Sequence, residues 1–242
     1  MSKQLKPEVV NWGAKEWLSI LASILTGKIR QGRNTLNLLK YLKQQYPQSG
    51  VFLLNSARAG LILSLQVFKE IKPFKNEVII PEFICNSVPD AIKKCGLTPV
   101  YAPVSKDLNL DVNSLDQICN DKTLAVILPH MYAKPANIKQ AAALLLQKDI
   151  FLVDDAAQVT GIYVEGEPLG SFGDVGLLSF AQAKTIVTGV RASGGVLFVN
   201  NKALEQKLAK IIGDLPVSSG RFTALMHFLL SYKWQGVGQK ID

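Results

Sequence analysis

The feature that most constrains the fold of this chain is the alternation, from residue 51 onward, of short apolar runs with helical patterns. The clearest of these runs are VFLL at 51–54, EVII at 77–80, LAVIL at 124–128 and IFLV at 150–153. Strands that are apolar on both faces need cover on both faces, and the helical segments between them can supply it. The alternation therefore predicts an α/β fold with a mainly parallel central sheet and helices on both faces.

Two later apolar runs change this pattern. DVGLLSF at 174–180 and GGVLFVNN at 194–201 follow each other without a long helix between them, so we expect two strands joined by a loop and a partly antiparallel sheet. Helical patterns then dominate, including the apolar run TALMHFLLSYKW at 223–234. We divide the chain into an N-terminal helical segment (1–35), a large domain (36–205) and the start of a helical linker (206–242).

Composition and charge limit the class of protein. With 242 residues, 48% of them hydrophobic and 19% charged, the chain can form a globular domain with a substantial core. The net charge of +8 comes from 27 basic and 19 acidic residues, and much of the excess lies before residue 50 without a run of like charges. We interpret the excess as a solvated face and predict no nucleic-acid partner.

The cysteines and histidines argue against a metal site. Cys85, Cys95 and Cys119 are odd in number and contain no CxxC pair, which favours neither a disulfide framework nor a zinc site. His130 and His227 are the only histidines, so a histidine-rich metal cluster is excluded. We predict no metal ion and a reducing compartment, the cytoplasm.

The N-terminal segment contains an apolar stretch from Trp17 to Leu25, which is too short to span a bilayer. Lys15 and Glu16 precede it and no small-residue cleavage site follows it, so a secretion signal is not predicted. We expect an amphipathic helix that docks on the domain or on a partner. Contact with a membrane surface is the less favoured alternative.

Polar side chains follow several predicted strands at the points where the strands end. They are Asn55, Ser56, Arg58, His130, Asp154, Asp155, Gln158, Ser179 and Lys184. The carboxyl ends of parallel strands meet at one edge of a sheet, and ligands bind outside that edge in open α/β folds. We therefore expect these side chains to form a binding site.

The residue types at this edge suit an aldehyde cofactor. A lysine such as Lys184 can form a Schiff base, and a carboxylate can pair with the protonated ring nitrogen of pyridoxal phosphate. The small residues of NSARAG at 55–60 precede a helix and leave backbone N–H groups for a phosphate. Taken singly, each residue also has a simpler explanation. Lys184 could be a solvated lysine, an aspartate after a strand could cap a helix, and His130 could be a hydrogen-bonded loop residue.

Four motifs in a fixed order connect these residues to a known family. They are DAAQ at 155–158, GSFGD at 170–174, SFAQAK at 179–184 and the glycine pair at 194–195. The region from about 36 to 205 resembles the DegT/DnrJ/EryC1/StrS family of sugar aminotransferases, which are pyridoxal-phosphate enzymes of fold type I. The resemblance implies the fold of the large domain, the cofactor pyridoxal 5′-phosphate and a homodimer.

The resemblance also implies a role for each matched residue. Lys184 would form the Schiff base with the cofactor and then carry the proton. Asp155 would pair with the ring nitrogen, and Gln158 would lie on the side of the ring hydroxyl. Ser179 would contact the phosphate.

Other positions depart from the family pattern. Ser56, Ala57 and Arg58 stand where the family has S-G-T to hold the phosphate, so a hydroxyl is lost and a cation is gained. Cys85 would line the cofactor where the family often has an aromatic residue that stacks on the ring. The loop GVRASGG at 189–195 is longer than the family's G-E-G-G, and nothing in 206–242 resembles the N-Y-R segment of the family's smaller C-terminal domain.

The resemblance implies an enzyme that moves an amino group, with glutamate as the expected donor, to a keto group of a nucleotide-linked sugar. Such a reaction serves cell-surface polysaccharide or related amino-sugar biosynthesis. Lys184 argues against the family's sugar dehydratases, in which a histidine replaces the lysine. The alternative is a catalytically impaired remnant of the large domain that acts as a binding or interaction module, which the changed S-G-T and the unmatched C-terminal domain favour.

Overall fold

A computed structural model describes residues 14–26, 33–181, 184, 194–215 and 226. The helices are α1 (Ala14–Leu25), α2 (Arg33–Gln45), α3 (Ala57–Ile71), α4 (Ser87–Lys94), α5 (Leu115–Ile118), α6 (Ile138–Gln147) and α7 (Lys202–Gly213). The strands are β1 (Gly50–Leu54), β2 (Glu77–Pro81), β3 (Thr98–Ala102), β4 (Thr123–Pro129), β5 (Phe151–Asp155), β6 (Tyr163–Val164), β7 (Glu167–Pro168), β8 (Val175–Ser179) and β9 (Gly195–Val199). The helix expected at 223–234 lies outside the described residues, apart from Met226.

Seven of the strands form one sheet, in the order β1-β9-β8-β5-β4-β2-β3. β9 runs antiparallel to its neighbours β1 and β8, and the other neighbouring pairs are parallel. The predicted α/β fold with a mainly parallel sheet is therefore confirmed, and its antiparallel part is a single strand. Because only β9 is reversed, the carboxyl ends of the other strands lie at one edge.

Two apolar layers cover the sheet, since successive side chains of a strand point to opposite faces. On β5, Leu152 belongs to the layer that includes residues of α2 and α6. Phe151 and Val153 belong to the other layer, with residues of α3, α4 and α7. The same alternation directs the two carboxylates that end β5, Asp154 and Asp155, to opposite faces.

The glycines of segment 170–176 allow this loop to pack directly against the sheet. A Cβ atom on Gly176 would lie 1.8 Å from the carbonyl oxygen of Gly170, and a Cβ atom on Gly173 would lie 2.5 Å from that of Leu152. The carboxylate of Asp174 accepts a hydrogen bond from the N–H of Leu152 at 2.8 Å. The GSFGD motif thus fixes β8 beside β5.

The ends of the large domain differ in how they pack. Leu204 and Leu208 of α7 are buried in the layer that includes α3, so the predicted boundary at 205 falls inside a helix of the core. The expected N-terminal helix is present as α1, on which Leu18 and Leu25 are exposed. Its docking partner stays a prediction. Within the described part of the chain, the helices lack the combination of length and apolar character that crossing a membrane requires.

Candidate cofactor site

A cavity of about 450 Å³ opens at the carboxyl edge of the sheet, beside the start of α3 and α4. Its lining includes the eight residues to which the family resemblance gave a place at the cofactor: Ser56, Ala57, Arg58, Cys85, Asp155, Gln158, Ser179 and Lys184. Three other strand-end residues that were expected at the site, Asn55, His130 and Asp154, are not part of this lining, so that part of the prediction was wrong. Apolar side chains complete it, among them Leu61, Ile84, Val88 and Leu177. An apolar cavity of this size with a few convergent polar groups is the usual form of a small-molecule site.

The N-terminus of α3 presents backbone N–H groups to this cavity. Ser56 caps the helix, and its Oγ accepts a hydrogen bond from the N–H of Ala59 at 3.2 Å. The first N–H groups of a helix have no partner within the helix, so those of Ala57 and Arg58 are suited to an anion. The hydroxyl of Ser56 is engaged in the cap, and the anion cradle here consists mainly of backbone donors.

Gly195 explains why a glycine opens β9. A Cβ atom at this position would lie 2.2 Å from the backbone nitrogen of Ala57 and 2.6 Å from the carbonyl carbon of Ser56. β9 therefore passes so close to the start of α3 that no side chain fits between them. The glycine pair noted in the sequence has a steric role in shaping the anion cradle.

Asp155 is the buried carboxylate of the cavity. It ends β5 with 9% of its surface exposed, and its Oδ1 accepts a hydrogen bond from the N–H of Ala157 at 3.0 Å. Burial raises the pKa of Asp155 above its ordinary value, against the opposing effects of that hydrogen bond and of the positive charge of Lys184. A cation bound beside Asp155 would relieve the cost of burying its charge.

The remaining polar residues approach the cavity from three loops. Ser179 ends β8, and its Oγ accepts a hydrogen bond from the N–H of Ala181 at 3.3 Å. The Oε1 of Gln158 accepts one from the N–H of Tyr132 at 3.5 Å. Lys184 is half-buried in the lining, and its charge acts on both Asp155 and Cys85. The structure thus brings the predicted residues together.

Cys85 lies exposed just before α4, where the family often has an aromatic residue. Its Sγ accepts a hydrogen bond from the hydroxyl of Ser87 at 3.2 Å, a partner that sequence reasoning missed. This hydrogen bond, assisted by the positive charges of Lys184 and Arg58, lowers the pKa of the Cys85 thiol below its ordinary value. A lowered pKa enriches the thiolate, which is the reactive form.

We expect iodoacetamide near neutral pH to alkylate Cys85 before the other two cysteines. Burial raises the pKa of Cys95 and of Cys119, so less thiolate forms at either position. Mass spectrometry of the labelled peptides measures the order of reaction. Ser87→Ala should slow the labelling of Cys85, whereas faster labelling of Cys95 or Cys119 in the native chain would contradict this account.

His130 is confirmed as a hydrogen-bonded residue, and it lies outside the cavity lining. It is fully buried and contacts Asp154, which points to the face of β5 opposite Asp155. Sequence reasoning placed all three residues at strand ends but missed this pairing. The alternation of side chains along β5 was the signal in the sequence that could have shown that Asp154 and Asp155 point to opposite faces of the sheet.

A second cavity, of about 580 Å³, lies at the opposite edge of the sheet. Its polar side chains bond to the protein itself: Nδ2 of Asn200 donates to the carbonyl oxygens of Gly170 and Gly173, at 3.1 and 2.9 Å. Nδ2 of Asn201 donates to the carboxylate of Asp174 at 2.7 Å. These groups hold the loop before β8 in place, so we assign them a structural role.

The model of the DegT/DnrJ/EryC1/StrS aminotransferase family matches residues 13–224. The chain belongs to this family. The family assignment predicted from the motifs is therefore confirmed, and with it pyridoxal 5′-phosphate as the cofactor of the family.

Individual relatives agree with this assignment. A GDP-perosamine synthase of Vibrio cholerae is 30% identical over 161 residues, which are 66% of this chain and 42% of that protein. Among solved structures, PseC of Helicobacter pylori, an aminotransferase involved in the biosynthesis of pseudoaminic acid, has a TM-score of 0.70 and 20% identity. The match covers 86% of this chain and 59% of PseC.

A third relative carries the cofactor in its structure. The E. coli GDP-4-keto-6-deoxy-D-mannose-3-dehydratase with bound hydrated PLP has a TM-score of 0.69 at 20% identity, over 83% of this chain and 52% of that one. These likenesses confirm the expected fold. The chain spans about two fifths of the length of the first curated relatives it matches.

Proposed function

We propose that this chain forms the cofactor-binding part of an enzyme that transfers an amino group, from an amino acid such as glutamate, to a keto group of a nucleotide-linked sugar. The observation that carries the proposal is the convergence of Lys184, Asp155, Ser179 and the start of α3 on one cavity. The names of the V. cholerae and H. pylori relatives support a sugar product. A homodimer and a location in the reducing cytoplasm complete the proposal.

The residues of the cavity fit pyridoxal phosphate. The N–H groups of Ala57 and Arg58 and the hydroxyl of Ser179 would hold the phosphate, and the guanidinium of Arg58 adds positive charge where the family has a hydroxyl. Asp155 would hold the ring nitrogen. Gln158 would face the ring hydroxyl.

The residue expected against the face of the cofactor ring differs from the family pattern. Cys85 would lie at the position of the stacking aromatic, with the apolar side chains of Ile84, Val88 and Leu177 elsewhere in the lining. A thiol covers less of a ring than an aromatic side chain does. We therefore expect the phosphate and Asp155 to supply most of the affinity for the cofactor.

The chemistry divides between the cofactor and the chain. When bound, pyridoxal phosphate supplies an electron sink for the carbon that carries the amino group. The amine of Lys184 would take the proton from that carbon and return it to the carbon on the other side of the amino nitrogen, which is general acid–base catalysis. Asp155, kept ionised by that neighbouring cation, would hold the ring nitrogen in its protonated form. The apolar lining limits the access of water to these charges.

Titration of the chain with pyridoxal phosphate, followed by its visible absorbance, tests the proposal. We expect saturable binding of one equivalent per chain and a change of the spectrum when glutamate is added. Ser179→Ala should weaken binding by about tenfold or more, since a hydrogen bond to a charged group contributes roughly 1.5–3 kcal/mol. A folded chain that takes up no pyridoxal phosphate would contradict the proposal.

Asp155→Asn is expected to weaken cofactor binding while it stabilises the cofactor-free chain at neutral pH. Burial raises the pKa of Asp155, so the folded chain holds this proton more tightly than the unfolded chain does. As the pH rises from the ordinary range of an aspartate, at about 4, through the raised pKa, ionisation of Asp155 destabilises the native fold. The asparagine variant does not ionise and avoids this loss.

Urea unfolding at acidic and neutral pH measures this difference. The free energies of unfolding of the two proteins should differ least at acidic pH, where the carboxyl is protonated in both states. At neutral pH without cofactor, the variant should be the more stable protein. The reverse order at neutral pH would be inconsistent with a raised pKa at Asp155.

A further inference from the structure

We infer that Asp154 and His130, a buried pair behind the cavity, act as a positioning unit that keeps a second negative charge next to Asp155 and thereby strengthens binding of a cationic ring nitrogen. Asp154 does not line the cavity. It would therefore act without contact with the cofactor, through the electric field of its charge and through the main chain of β5. The inference rests on the proposed function, since the cation is the protonated nitrogen of pyridoxal phosphate.

The hydrogen bonds of His130 define the tautomer of its ring. Its Nε2 lies 2.8 Å from Oδ1 of Asp154, and neither side chain has exposed surface. Its Nδ1 accepts a hydrogen bond from the N–H of Ala136 at 2.9 Å. A ring nitrogen that accepts a hydrogen bond carries no proton, so the single proton of the ring lies on Nε2 and is donated to Asp154. His130 therefore contributes a hydrogen bond and no positive charge.

The second oxygen of Asp154 is held by the loop before β8. Oδ2 accepts hydrogen bonds from the N–H groups of Gly170, at 2.7 Å, and Phe172, at 3.1 Å. Together with His130, these donors engage both oxygens of the Asp154 carboxylate as acceptors. All three donors are neutral. The phenol of Tyr46 is the other titratable group that senses Asp154, and burial followed by the charge of Asp154 raises the pKa of Tyr46, so it too stays neutral.

Asp154 is coupled to Asp155 in two ways. The residues are consecutive at the end of β5, and the negative charge of Asp154 adds to the effect of burial in raising the pKa of Asp155. The backbone N–H of His130 also donates to the carbonyl oxygen of Asp155 at 3.3 Å, so the residue that orients one aspartate fixes the main chain of the other. With His130 neutral, the pair adds one negative charge behind Asp155, which attracts a cation in the cavity.

Two cofactors that differ only at the ring nitrogen test this inference. Asp154→Asn removes the charge and keeps the size of the side chain. We expect it to reduce the preference of the chain for pyridoxal phosphate over 1-deazapyridoxal phosphate by about tenfold, which corresponds to one pKa unit. Ser179→Ala should weaken both ligands equally and leave the preference unchanged. Because the preference is a ratio within one variant, a reduced folded fraction cancels from it.

An unchanged preference in Asp154→Asn would overturn the inference, since a merely structural role weakens both ligands alike. A second measurement applies to the native chain even if that variant does not fold. Nitrogen-15 NMR of the histidine rings, assigned with His227→Gln, should show His130 with a single ring proton, on Nε2. A doubly protonated His130 would overturn the inference because its charge would cancel that of Asp154. Failure of the native chain to bind pyridoxal phosphate would contradict the proposed function instead.

Discussion

Replacing Lys184 with alanine is expected to lower the rate of amino transfer by at least about a thousandfold, within the range that general acid–base catalysis contributes. Lys184 is the lysine that lines the cavity, and its charge acts on Asp155 at the end of β5. Among the described residues that line the cavity, no second amine is present to move the proton from the amino acid to the cofactor. The rate at which glutamate changes the absorbance of the bound cofactor measures this step.

Two matched variants distinguish the role of Lys184 as a base from the role of its positive charge. Lys184→Arg keeps the positive charge but holds its proton at any ordinary pH, so it should be as impaired as the alanine variant. Lys106→Ala removes an exposed lysine outside the cavity and should leave the rate unchanged. A rate within tenfold of the native value in Lys184→Ala, with the cofactor bound, would remove Lys184 from the mechanism.

Gly176→Ala is expected to destabilise the chain by roughly 3 kcal/mol or more, or to prevent folding, because overpacking against fixed backbone is costly. The new Cβ atom would lie 1.8 Å from the carbonyl oxygen of Gly170. That loop is held by hydrogen bonds from Gly170 and Phe172 to Asp154, so it has little freedom to move away. Urea unfolding monitored by circular dichroism measures the loss.

Gly213→Ala is the matched control for this substitution. Gly213 is the last residue of α7, and nothing lies within 4 Å of the Cβ atom it would gain. Alanine restricts the unfolded chain more than glycine does, so this variant should be as stable as the native chain or more stable by up to about 1 kcal/mol. Equal stabilities of the two variants would show that the loop at 170–176 does not pack as described.

Sequence patterns predicted the layers of this fold because a strand or a helix is encoded by residues that are close together along the chain. Runs such as IFLV at 150–153 are apolar on both faces, and only a covered sheet buries both. The positions of Asp155, Ser179 and Lys184 followed from the rule that parallel strands end at one edge. The reversal of β9 was also readable, since the sequence between β8 and β9 carries no long helical pattern that would predict a crossover helix.

The sequence did not reveal features that depend on long-range register. His130 and Asp154 are 24 residues apart and meet only because β4 and β5 are neighbours in register. The need for glycine at position 195 comes from the approach of β9 to the start of α3, which no local pattern encodes. The helix α7 crosses the boundary drawn at 205, because the apolar face of that helix packs on the core.

The most direct test of the account is to find which residue the cofactor modifies. The chain is loaded with pyridoxal phosphate, reduced with borohydride to make the attachment permanent, digested and analysed by mass spectrometry. The account predicts one pyridoxyl group per chain, on the peptide that contains Lys184, and its loss in Lys184→Arg but not in Lys106→Ala. Label spread over surface lysines such as Lys106, with none concentrated at Lys184, would contradict it.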